Sequence, residues 1–228
     1  MRPSPLALLL WLLWLLAAAG CAVWNPDYEP DPDRELQDLL RPARSAERAL
    51  DQVTQERMRF SVERLATRHP SHVASQVAAA ALSFEAGESQ RAQGYLDRAL
   101  TLAPAHVEAR CLRARIAVAD GSLDLARKLV DEGLRMRPDA AALYESSAWL
   151  HQLEGRFDDA LRALSAAASL GAPAWRIAFH RGLVEELRGA FDAAERHYRE
   201  AIEARPSCAE AKQRLMGLAA RRQLAPGR

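Results

Sequence analysis

The chain has 228 residues, with 31 basic and 30 acidic side chains, a formal net charge of +1 and only 6% aromatic residues. This balance argues against a nucleic-acid binder, which needs a basic excess to draw in phosphates, and no other partner class is favoured by net charge. Lys128 and Lys212 are the only lysines; the other basic residues are arginine.

Residues 1–20 carry one charge, Arg2, ahead of an unbroken apolar run from Leu6 to Ala19. That run is shorter than the roughly 20 residues a membrane-spanning helix needs, and it ends in small residues, as a cleaved export signal does. Ala18, Ala19 and Gly20 lead directly into Cys21, an arrangement that resembles the lipobox of bacterial lipoprotein precursors. The resemblance implies a diacylglycerol on the Cys21 sulfur, cleavage before Cys21 and an acylated new amino group, an anchor of several chains and therefore a stable one. Ala18 departs from the leucine most often found there; the same residues also admit an ordinary signal peptide with Cys21 incidental. Ala22, rather than Asp, follows the cysteine, which by the same resemblance implies an outer-membrane location facing the periplasm.

Residues 21–33 form the expected tether, where Pro26, Pro30 and Pro32 alternate with Asp27, Glu29, Asp31 and Asp33. Extended at about 3.1 Å per residue, it could hold the body roughly 30–40 Å from the lipid, and Trp24 reads equally as an interface residue or as one with no role there. Residues 34–72 are expected to hold N-terminal helices forming a degenerate first unit or cap. A long helix is predicted from Ser45 to about His69, ended by Pro70.

From there a pattern returns every 34 residues. Gly87, Gly121, Gly155 and Gly189 are each followed five residues later by Ala92, Ala126, Ala160 and Ala194. Small residues recur at Ala99, Gly133, Ala167 and Ala201, and Pro104, Pro138 and Pro206 close three of the four copies. The spacing predicts two antiparallel helices per copy: glycine supplies the left-handed turn, small residues allow close approach, and proline blocks further helix. Apolar stripes agree: Ala109, Leu112, Ile116 and Ala119; Leu143, Leu150 and Leu153; Ile177, Val184 and Leu187, interrupted by His180. No run alternates with period two, so strands are not expected.

This ladder resembles the tetratricopeptide repeat, best in Trp175–Ser207, which has Gly182, Gly189, Ala194, Tyr198, Ala201 and Pro206 at the family's usual places. The resemblance implies an all-α fold, a right-handed α-solenoid of stacked hairpins, with repeats at 73–106, 107–140, 141–174 and 175–208. A C-terminal capping helix over Ala209–Ala220 precedes a fraying tail from Arg221 to Arg228. Departures from the family pattern are Ala172, with the proline moved to Pro173, and Arg113 and Arg181, where leucine is usual.

Motifs for catalysis are absent: the sequence has no glycine-rich phosphate loop, no His-Glu-x-x-His, no Gly-x-Ser-x-Gly and no closely spaced cysteine pair. No enzyme, cofactor, metal or small-molecule substrate is expected. His69 and His72 straddle a turn, His180 is expected to hydrogen-bond between helices, and Cys111 and Cys208 lie too far apart to pair.

In the family the first helices line a concave groove for a peptide or helix. Carried over, that face comprises Glu108, Cys111, Arg115 and Val118; Glu145, Trp149 and Gln152; and Arg176, Phe179, Leu183 and Glu186. Trp149 and Phe179 would be anchors, and Arg115 and Arg176 would pair with a partner's carboxylates. Each has plain packing on an exposed face as its alternative. The expected function is an envelope adaptor for a protein partner, lipid-anchored and similar in layout to pilotin and pilus-assembly lipoproteins. The alternative is a non-catalytic scaffold within a cell-wall or cytochrome-maturation complex.

Overall fold

The structure is a computed structural model that describes residues 31–45 and 50–224. The export segment, Cys21, Trp24 and the tether as far as Pro30 lie outside the described residues, as does the tail from Ala225.

The described residues form helices and no strand. Two come first, α1 (Pro32–Ser45) and α2 (Gln52–Arg68). Four hairpins follow: α3 (Val73–Glu85) with α4 (Ser89–Leu102), α5 (Val107–Ala119) with α6 (Leu123–Met136), α7 (Ala141–Leu153) with α8 (Phe157–Ser169), and α9 (Ala174–Leu187) with α10 (Phe191–Ala204). The last helix, α11, spans Ala209–Leu224. Each helix packs on the next in chain order, so the core is a file of small clusters and not one centre. This is a solenoid of the kind in which each unit contacts only its neighbours.

The turn within each hairpin rests on a glycine that other residues would enter only under strain. Gly87, Gly121, Gly155 and Gly189 have φ of 80°, 77°, 71° and 83°. Each allows the next N–H to reach back five residues to a carbonyl, Glu88 to Ser83 at 2.9 Å and Ser122 to Ala117 at 2.7 Å, which satisfies the helix end. Beyond the turn the small-residue ladder is sealed: Ala92, Ala126, Ala160, Ala194, Ala99, Ala167 and Ala201 are all fully buried. At Gly133 the space a Cβ would need is already filled by Leu143, whose Cδ2 would be 2.8 Å away.

The stripes bury Ala109, Leu112, Ile116, Leu143, Leu150, Ile177 and Val184, but not their last members. Ala119 is exposed, and Leu153 and Leu187 stand 48% and 57% open. The chain reverses two residues later, so the second helix diverges before it covers them.

A buried polar side chain ties neighbouring units together at one register position. Gln76 Nε2 donates to the carbonyls of Ala66 (2.7 Å) and Pro70 (3.4 Å); 34 residues on, Arg110 Nε donates to Pro104 at 2.6 Å. Both hold the proline connection that a helix would otherwise satisfy. The arginines replacing leucine are also used: Arg113 reaches Asp97 at 3.4 Å and Arg181 donates to Ser165 Oγ at 3.2 Å, each across to the preceding second helix.

The N-terminal unit corrects the expected long helix from Ser45. Two helices stand there, and the second begins only after Asp51, whose carboxylate accepts the Thr54 N–H at 2.9 Å as an N-cap. Pro32 and Asp33, expected in the tether, open α1, where proline's missing N–H costs nothing. Leu36 buries against Val62, Leu65 and Ala79. Asp33 lies 3.0 Å from His72, the residue ahead of α3, and Glu35 2.5 Å from Arg68 at the end of α2, pinning α1 to the connection between them. At the other end, α11 continues one turn past the expected Ala220, with Ala211 and Leu218 against Tyr198 and Cys208. Cys111 and Cys208 are free thiols. Among the described residues no helix is long and apolar enough to cross a membrane.

Candidate groove across three first helices

First helices lie side by side, α3 against α5 and α5 against α7, but α7 and α9 do not come as close. The cause is the altered connection at Ala172 and Pro173. Helix α8 stops at Ser169, Gly171 turns left-handed at φ 86°, and Pro173 starts α9 at Ala174.

A cavity of about 470 Å³ opens there. Helix α5 contributes Cys111 and Arg115, α7 contributes Ala142, Glu145, Ser146 and Trp149, and α9 contributes Arg176 and His180. Larger hollows of about 760 and 660 Å³ lie at the two ends, against α2 and α11, and one of about 620 Å³ lies at the α3–α4 turn, between Gly87 and Asp120.

The polar groups divide into engaged and available. Arg176 donates from Nη2 to Glu145 Oε1 at 2.7 Å, and its Nε lies 2.5 Å from Oε2 without the geometry of a hydrogen bond, an ion pair spanning the gap between α7 and α9. Ser146 donates back to the Ala142 carbonyl at 2.9 Å, and the Cys111 thiol approaches the same oxygen at 3.6 Å. Burial pushes the Cys111 thiol above its ordinary pKa, so it stays protonated at neutral pH. Arg115 is different: it is exposed, its guanidinium stands 5.8 Å over the Phe84 ring, and among the described residues no carboxylate pairs with it. Trp149 is half-buried against the Ala114, Ala117 and Val130 cluster, which fixes its ring.

His180 is half-buried and, among the described residues, makes no hydrogen bond with its ring, contrary to the expected inter-helix bond. Burial pushes its pKa down, Glu145 opposes this and Arg176 adds to it, so the imidazole is neutral at pH 7.

Of the residues carried over from the family face, the structure gathers Cys111, Arg115, Glu145, Trp149 and Arg176 around this cavity. It places Glu108, Gln152, Phe179 and Glu186 elsewhere. Glu108 is exposed beside His106 at 3.4 Å, and Gln152 is half-buried beyond the cavity. Phe179 packs 6.0 Å from the Tyr198 ring in the core of the last unit. Glu186 accepts the Tyr198 hydroxyl at 2.6 Å and faces Arg214 at 3.6 Å. Arg176, expected to await a partner's carboxylate, already has Glu145. The face carried over from the family did not include His180 or Ser146; they share one register position, 34 residues apart, one residue beyond Phe179 and Glu145.

Among the described residues no three His, Cys, Asp or Glu side chains converge as metal ligands would. The arrangement is an open groove carried on a file of helical hairpins, the layout of a repeat-built scaffold. The chain belongs to the tetratricopeptide repeat family, matching it over residues 83–150 and again over 147–212.

Solved structures share the fold. TTC0263, a tetratricopeptide protein of Thermus thermophilus, superposes with a TM-score of 0.73 at 16% identity, over 83% of this chain and all of that one. MamA of Desulfovibrio magneticus RS-1 superposes at 0.53 and 16% identity, over 79% of this chain and 98% of its own. Human IFIT1, solved as a dimer with m7Gppp-AAAA, gives 0.67 and 16% identity over 84% of this chain, which spans 47% of IFIT1. No curated protein sequence matches the chain.

Proposed function

We propose that the chain is a non-catalytic adaptor of the bacterial cell envelope, held to the membrane through Cys21, that receives a peptide or helix of a protein partner in the groove between α5, α7 and α9. The observation that carries the reading is the pairing of a fixed aromatic wall, Trp149, with an exposed guanidinium, Arg115, that has no carboxylate of its own among the described residues. An amphipathic segment with an apolar residue for Trp149 and a carboxylate for Arg115 satisfies both. The near balance of charge over the chain favours protein over nucleic acid, although the same fold in IFIT1 was solved with m7Gppp-AAAA. The lipobox-like residues and Ala22 favour the outer membrane, facing the periplasm.

The test is recovery of partners by crosslinking in cells with the full chain, compared with Trp149→Ala and Arg115→Ala. A discrete envelope protein lost in both variants supports the groove; undiminished recovery rejects it. Palmitate incorporation, abolished in Cys21→Ser, tests the anchor separately.

A further inference from the structure

The outer face of α2 differs from the later second helices at one register position; elsewhere on the stripe Leu125 of α6, at the register of Arg57, is also apolar and 41% exposed. At the register of Phe60 the later units carry Gly94, Lys128, Arg162 and Arg196, all exposed and none apolar. Phe60 is itself 56% exposed, and Val53, two turns earlier on the same stripe, is 64% exposed. Arg57 and Arg64 lie between and beyond them, completing positions i, i+4, i+7 and i+11 of one helical face. Both arginines are exposed, and among the described residues neither has a carboxylate partner. Arg59 differs: its guanidinium covers one side of the Phe60 ring at 4.4 Å and is neutralised by Glu63 and Glu88 at 3.1 and 3.0 Å. The other side of the ring is left open. Glu56 lies on the flank of the stripe, within 3.4 Å of the Gln52 amide.

We infer that this face of α2 rests on an anionic phospholipid surface, with Phe60 and Val53 entering the headgroup boundary and Arg57 and Arg64 against phosphates. Two apolar side chains on one convex helix fall short of the roughly 800 Å² per partner that a stable protein interface buries. They suit a surface that is already near, because a tether replaces affinity by local concentration. That nearness rests on the proposed anchor at Cys21, and α2 belongs to the unit next to it in the chain. Each arginine close to an anionic surface strengthens the association about fivefold.

The experiment puts benzoylphenylalanine in place of Phe60 in the full chain, and in place of Arg162 as a control at the same register on α8. Each protein is illuminated with phosphatidylethanolamine vesicles made with and without phosphatidylglycerol, and also in cells. The expected result is phospholipid adducts at position 60, dependent on phosphatidylglycerol, about tenfold above position 162 and lowered about twentyfold by Arg57→Glu with Arg64→Glu. Circular dichroism of that double variant checks that these exposed changes leave the helices intact. Lipid labelling equal at both positions, indifference to charge reversal, or protein adducts in place of lipid overturns the inference. Palmitate incorporation separates the two readings: adducts at position 60 without palmitate keep the face and remove the anchor, and palmitate without adducts does the reverse.

Discussion

The Cδ1–Cε1 edge of Tyr198 lies against Gly182, so close that a Cβ there would stand 2.5 Å from Tyr198 Cε1 and 2.6 Å from Cδ1. The ring is fully buried and its hydroxyl donates to Glu186, so it has no room to withdraw. Gly182→Ala is therefore expected to lower stability by about 1–3 kcal/mol, as overpacking does. Gly94 is mid-helix and has open space where a Cβ would go. Gly94→Ala should raise stability by about 0.5–1 kcal/mol, because alanine loses less backbone entropy in a helix. Urea unfolding of both variants checks the contrast; a stability gain at Gly182 would refute the contact.

Removing the hydroxyl alone isolates the polar part of the same site. Burial raises the Tyr198 pKa, and the hydrogen bond to Glu186 raises it further, so the phenol stays neutral well into the alkaline range. Tyr198→Phe leaves the ring packing and costs about 1–3 kcal/mol, since it strips a charged acceptor of its donor. Absorbance titration should show Tyr198 ionising later than Tyr95, whose pKa burial also raises, and that later component should vanish in the variant.

Turn glycines make a different prediction, because nothing crowds Gly155 while its φ is 71°. Gly155→Ala should cost about 1–2 kcal/mol from backbone strain alone. Hydrogen exchange should then show earlier opening at the α7–α8 turn, where the Arg156 N–H reaches the His151 carbonyl at 2.9 Å. An unchanged midpoint would mean that the turn relaxes freely.

Acidification should act in two windows. Burial lowers the His180 pKa, so below the ordinary value of 6.5 the unfolded chain takes up the proton first and stability falls with pH until the folded imidazole protonates as well. His180→Gln removes that loss. At Glu154 burial opposes ionisation, but Arg127 and Arg156 outweigh it and lower the pKa from its ordinary 4.5. Its contribution is present above that value and disappears as pH falls through the folded pKa. Melting temperatures from pH 8 to 3 should show the first loss vanish in His180→Gln and the second shrink in Glu154→Gln.

The family face was legible as a set of positions, yet only part of it meets at the groove. Phe179 reads as an anchor by register, but its ring lies within reach of Tyr198, a contact that depends on how α9 rotates against α10. Glu145 and Arg176 read as independent charges; the altered connection at Gly171 and Pro173 sets the gap that their ion pair spans. The break before α2 did leave a signal, Asp51 three residues ahead of Thr54, the spacing of an N-cap.

Linear order was enough for the hairpins, because a left-handed turn, a tight helix crossing and a helix stop each impose a local demand that few residue types meet. Those demands recur at Gly87, Ala92, Ala99 and Pro104 and their repeats, and they can be read without knowing any neighbour. The open side of Arg115, the locked state of Arg176 and the inward turn of Phe179 came only with the folded chain. They depend on distances between helices far apart in sequence, and the displaced proline at the α8–α9 connection alters those distances without disturbing the repeat.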